Sequence, residues 1–139
     1  DYWPERIEHV MDGETLTFVE QSLQLVAIGP REDNFNVLSD TIFDRERAKA
    51  LADAADDLWE ATLAHDFARF GAAMRRSYEA QIAMFPRMVT PQVAALIDQH
   101  RDHALGWKLC GAGGGGYLVL VTEREIPGAV RVVARRTAE

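Results

Sequence analysis

The chain has 139 residues, 47% of them hydrophobic and 27% charged, an ordinary globular mixture with no sign of disorder that fits one domain with a single sizeable core and not two. Its net charge of −7, from 22 acidic against 15 basic side chains, argues against a nucleic-acid surface, because neutralising phosphates needs clustered Lys and Arg. One cysteine, Cys110, excludes an internal disulfide or a cysteine zinc cluster and points to a reducing, cytoplasmic setting, and no run approaches the ~20 apolar residues of a membrane span. The start at Asp1-Tyr2-Trp3-Pro4, with neither a leader pattern nor an initiator methionine, suggests a piece of a longer polypeptide.

In chain order, the alternation from Glu5 to Val10 predicts a short strand, and Asp12 can cap a short helix over Glu14 to Gln21. Leu23 to Ile28 reads as a strand stopped by Gly29-Pro30, followed by a polar loop from Arg31 to Asn36. Ala48, Leu51, Ala52, Ala55, Leu58, Trp59 and Thr62 keep helical spacing, as do Phe67, Phe70, Met74, Tyr78, Ile82 and Phe85. The aromatics of this second run read as core, and Arg75 and Arg76 as its solvated side. Asp66 can cap the second helix, the short Ala64-His65-Asp66 link makes the pair an antiparallel hairpin, and Pro86 ends it.

Thr90-Pro91 starts a further helix with Val93, Leu96, Ile97 and His100 on one face. Strands are then expected over Trp107 to Cys110, Tyr117 to Thr122 and Val130 to Ala134, with the turn Pro127-Gly128 before the last. Strands bracketing a helical block predict an α+β sandwich, helices on one face of a mainly antiparallel sheet. His9, His65, His100 and His103 are too scattered for a metal site, and the last two fit an exposed helix end; no metal ligands are assigned.

The densest signal is Lys108-Leu109-Cys110-Gly111-Ala112-Gly113-Gly114-Gly115-Gly116-Tyr117, where five of the ten glycines occupy six residues between two apolar strands. Glycine loses the most entropy on ordering, so such a run implies positive φ or close approach of a ligand or another backbone. Gly111, Gly113 and Gly116 satisfy G-x-G-x-x-G, but a strand follows where a dinucleotide fingerprint needs a helix. A phosphate-binding P-loop fails too, since Tyr117 and Leu118 stand where Lys and Ser or Thr are required. A strand–loop–strand whose successive N–H groups form an anion-binding hollow is left.

This run resembles the third, C-terminal motif of the GHMP kinases, the group of galactokinase, homoserine kinase, mevalonate kinase and phosphomevalonate kinase. The order of strand, two long helices, Met88-Val89-Thr90-Pro91, short helix and glycine loop is similar to the sugar-kinase branch with heptose-phosphate kinases and fucokinases, from about residue 20 onward. The resemblance implies a ferredoxin-like plait with the long helical hairpin on one face, residues 1–139 forming one C-terminal domain. It implies that ATP and Mg²⁺ are bound mainly by an N-terminal domain of the same polypeptide; no Gly-Leu-Gly-Ser-Ser segment is present here. No catalytic residue is therefore assigned, and the chain alone is expected to be inactive as a kinase. Gly111, Ala112, Gly113, Gly114, Gly115 and Gly116 would face a sugar or sugar-phosphate substrate and the ATP phosphates, with Arg31 near the substrate. Lys108 either lends charge to a phosphate or points to solvent from its strand, and Cys110 replaces the Ser or Thr of many members. The alternative is a catalytically silent module that uses the loop for backbone packing and associates with a partner or with itself; an exposed docking face could also make the isolated domain a homodimer.

Overall fold

The computed structural model describes residues 3–136. In chain order it contains α1 (Gly13–Ser22), β1 (Leu23–Gly29), α2 (Arg45–Leu63), α3 (Phe67–Met84), a 3-10 turn (Pro86–Met88), α4 (Pro91–His100), β2 (Gly106–Leu109), β3 (Gly116–Val121) and β4 (Val130–Arg131). One antiparallel sheet has the order β2-β3-β1-β4. The architecture is the expected α+β one with the long hairpin on one face, but helices cover both faces and not one, because both sides of the strands carry apolar side chains.

Each helix starts where a short polar side chain can take an unpaired backbone N–H. Asp12 accepts from Thr15 N at 2.8 Å, Asp44 from Arg47 N at 2.8 Å, Asp66 from Arg69 N at 3.0 Å and Thr90 from Val93 N at 3.2 Å. His65, at φ 51°, makes the tight turn of the α2–α3 hairpin and is held by a 2.7 Å contact with Thr15 Oγ1 and by stacking on Phe18.

Strand alternation divides the core. Leu25 opposes Val119, which opposes Lys108; Gln24 opposes Leu120, which opposes Trp107. On one face Leu23, Val119 and Val121 pack with Phe18, Leu58, Ala61, Phe70 and Met74, so the hairpin serves this side. On the other face Trp107, Leu109, Leu118 and Leu120 pack with Met88, Val93 and Ile97, so α4 and the 3-10 turn cover it. Phe70 and Tyr78 are buried and Phe67 and Phe85 half-buried, as core aromatics should be. Gln24 is buried without loss because Nε2 donates to Arg124 O and Oε1 accepts from Ile126 N, which pins the chain after β3.

Four further expectations need correction. Glu5 to Val10 forms no strand: it is exposed or half-buried, without a ladder partner, and runs beside α2, where Trp59 Nε1 donates to Glu8 at 3.0 Å. Alternation makes a strand only where a sheet edge is within reach. The last strand is shorter than Val130 to Ala134, because Ala134 N donates to Glu20 Oε1 at 2.7 Å and Arg136 clasps the same carboxylate. That pair of donors holds Glu20 down to about 2. On α2 the buried positions are Ala54 and Ala61, and Ala48, Ala52 and Ala55 face solvent; alanine on every side leaves the packing stripe undefined by spacing. His100 is buried at 5% exposure on the Val93–Ile97 face, not exposed at a helix end, and its Nδ1 lies 3.0 Å from His103 Nε2.

Candidate functional site

The glycine loop spans the hairpin between β2 and β3, closed at its base by Cys110 N donating to Tyr117 O at 3.0 Å. Gly111, Gly113, Gly114 and Gly116 have φ of 66°, 76°, 74° and 84°. Ala112 interrupts this left-handed series, and alternation of hand is the backbone geometry that turns successive N–H groups into a common hollow. Among the described residues, a turn at Gly111 and Ala112 brings Gly113 N toward Cys110 O, and the N–H groups of Gly111, Ala112, Gly114 and Gly115 donate to no protein acceptor. Gly113 and Gly115 are buried, so the amides open to an outside acceptor or to water are those of the exposed Gly111 and the half-buried Ala112 and Gly114.

What packs behind the loop explains its remaining glycines. A Cβ at Gly115 would sit 2.5 Å from Arg31 N and 2.8 Å from Pro30 C; one at Gly114 would sit 2.6 to 2.7 Å from three atoms of the Phe35 ring. The close approach is thus to another stretch of the chain, the segment after β1. That segment is steered over the loop by an irregularity between Ala27 and Gly29, where Gly29, at φ 119°, lies opposite Gly116. Gly111 and Gly116 meet nothing within 4 Å, so the loop is open at its two ends.

Arg31 is brought to the loop. Its Nε donates to Gly113 O at 3.1 Å and its guanidinium carbon lies 5.7 Å from the centre of the Phe35 ring. Lys108 goes elsewhere: its Nζ donates to Gln81 Oε1 at 2.7 Å and Ser77 Oγ at 3.1 Å, tying β2 to α3. Partial burial pulls this ammonium below the usual lysine range. Among the described residues neither cation pairs with a carboxylate, whereas most arginines of the chain do. Cys110 is exposed at the start of the loop. Phe35 is the residue that sequence reading passed over; the lone aromatic in a polar loop was the available signal.

The loop stands as a wall beside the segment after β1. Hollows lie along the α2–α3 seam at Asp53, Asp57, Arg76 and Glu79, and beside the 101–105 turn, and the loop lines neither. Among the described residues no group of three or more His, Cys, Asp or Glu side chains could hold a metal ion, and no helix is long and apolar enough to cross a membrane.

Residues 58–137 match the family described as GHMP kinases C terminal, which spans more than half of the chain. The protein belongs to that family. Over 76 residues it is 40% identical to the L-fucokinase/L-fucose-1-P guanylyltransferase of Bacteroides fragilis, a match that takes 55% of this chain and 8% of that protein. Its fold is similar to that in a crystal structure of mevalonate kinase, with a TM-score of 0.62 and 25% identity over 83% of this chain and 37% of the other. The chain thus spans a small part of the first relative and about a third of the second. The GHMP kinase resemblance expected from the glycine motif and the order of segments is confirmed at the level of the family and of the fold.

Proposed function

We propose that this GHMP kinase domain is the substrate-side, C-terminal part of an ATP-dependent kinase that phosphorylates a hydroxyl of a sugar or sugar phosphate. The observation that carries the reading is the set of loop amides at Gly111, Ala112 and Gly114 that no protein acceptor takes, beside Arg31, a cation with no carboxylate partner among the described residues. Phosphoryl transfer spreads negative charge over the oxygens of the moving group, and its catalysis is mainly positioning and charge stabilisation. Amide N–H groups that need no reorganisation, together with a guanidinium held by Gly113 O, suit that task. The 40% identity to a protein named as a fucokinase supports a sugar as acceptor.

The opposite wall, with the ATP cradle and the Mg²⁺ ligands, is assigned in this proposal to an N-terminal domain of the same polypeptide. Mg²⁺ there would neutralise charge between the β and γ phosphates; the residues of this chain hold the acceptor side and exclude water. Lys108 acts by holding β2 to α3, and so fixes the strand from which the loop departs. ATP as co-substrate and the single reduced cysteine suit the cytoplasm.

The test joins this chain to its native upstream segment and measures ADP release over a panel of sugars and sugar phosphates. Sugar-dependent turnover by the joined protein, with none from this chain alone, is the expected result. Turnover lost in Gly114→Val, with the fold retained by circular dichroism, would place the loop in the reaction. ATP turnover that no sugar stimulates, or none at all, would replace the kinase reading with a silent module.

A further inference from the structure

We infer that Phe35 is a positioning residue: its ring, locked under the Arg31 guanidinium, is the template that gives the glycine loop its shape. The inference rests on the proposed role of the loop amides but is carried by different contacts. Among the described residues only a single turn at Gly111 and Ala112 lies within 111–115, so the loop has no internal hydrogen-bond ladder to hold its conformation. Six residues with one side chain among them would otherwise be mobile, since glycine gains most from disorder. Gly113 rests on Leu109 and Met88, and the other restraints come from one short segment. The Phe35 ring lies so close beneath Gly114 that a methyl group would not fit between them, the backbone of Pro30 and Arg31 does the same beneath Gly115, and Arg31 Nε holds Gly113 O.

Phe35 is itself fixed from both sides. Its N–H donates to Glu32 O at 3.1 Å, closing a turn, and Val37 two residues later packs on the main core. Its aromatic face takes the guanidinium of Arg31, so one ring orients both the cation and the glycines. Removing the ring would free Gly114 and Arg31 together, while the half-buried position of Phe35 at the rim leaves the two core clusters intact.

The experiment measures ¹⁵N relaxation order parameters for Gly111 to Gly116 in the 139-residue chain, together with titration by inorganic pyrophosphate. The wild type is expected near the rigid value of about 0.85, and Phe35→Ala below about 0.6 in the loop only. Phe35→Tyr should keep the loop rigid, and Phe35→Leu should fall between. Thermal unfolding should change little across the series, and pyrophosphate binding should weaken about tenfold in Phe35→Ala and not in Phe35→Tyr, as misplacement of binding groups predicts. A loop as rigid in Phe35→Ala as in the wild type would overturn the inference; if that variant does not fold, the same comparison is read from Phe35→Leu. A wild-type loop that is rigid yet ignores pyrophosphate would count against the phosphoryl-facing role and leave the template role standing, because the order parameters decide it alone.

Discussion

Glycine brings backbones together at both ends of β2, and for opposite purposes. At the start of the strand Gly106 lies against Gly71 of α3, so close that a Cβ on Gly106 would sit 2.1 Å from Gly71 O, and neither glycine has a positive φ. Here the missing side chain lets a helix seat on a strand. At the far end the glycines of 111–116 take positive φ at four positions, and the amides of Gly111 and Gly114 go to no protein acceptor among the described residues. The first contact is a seam that stabilises the fold; the second spends stability on a surface that something else must complete. A glycine therefore reports its role through two separate quantities, the space at its absent Cβ and the sign of its φ.

The contrast can be broken by substitution. The largest effect is expected from Gly106→Ala, whose methyl group must displace the backbone of α3; overpacking of this kind should cost about 3 kcal/mol and lower the thermal midpoint by roughly 10 °C. Gly115→Ala meets the backbone of Arg31 and Pro30 in a loop that can move, so the loss should be nearer 2 kcal/mol while the loop amides shift strongly in a ¹⁵N spectrum. Equal losses at both sites, or an unchanged loop spectrum in Gly115→Ala, would erase the distinction between seam and loop.

A pH measurement sharpens the seam side. Burial, and then the neighbouring His103, hold His100 below the ordinary imidazole value of 6.5. The contact between the two rings has room for one proton. The unfolded chain takes up its proton near pH 6.5 and the folded chain only lower, so stability should fall as pH drops through that value. Thermal unfolding at pH 7.5 and 5.0 should show a drop about 3 °C larger in the wild type than in His100→Gln. Parallel curves would remove the histidine pair as the source. The smallest effect is expected at the open end of the loop: Gly111→Ala meets nothing, and only its φ of 66° is strained, so about 1 kcal/mol should be lost.

Much of the fold was legible before any coordinates. The caps Asp12, Asp66 and Thr90, the proline stop after Phe85, the hairpin of long helices and the strands around the glycine run all rest on local chemistry, which each short stretch carries by itself. The failures share one cause. Glu5 to Val10 alternates, and Val132 to Ala134 is apolar and rich in valine, as strands are, but pairing depends on a neighbour that local pattern does not supply. His100 looked like an exposed helix end because burial of an imidazole depends on what stands opposite. At the site, the loop and Arg31 were legible as candidates, and the structure brings those together; it turns Lys108 away to α3 and adds Phe35.

The sequence by itself determined that residues 111–116 could adopt conformations closed to other residues, since only chains without Cβ atoms enter the left-handed region freely. It also determined where helices begin, because a capping side chain and the amide it serves lie three residues apart. Tertiary structure alone decided which glycines are empty toward solvent and which are filled by Pro30, Arg31 and Phe35, some eighty positions earlier in the chain. That assignment depends on β1 pairing with β3 in a register that sets Gly29 opposite Gly116, a contact between distant segments that no local spacing encodes.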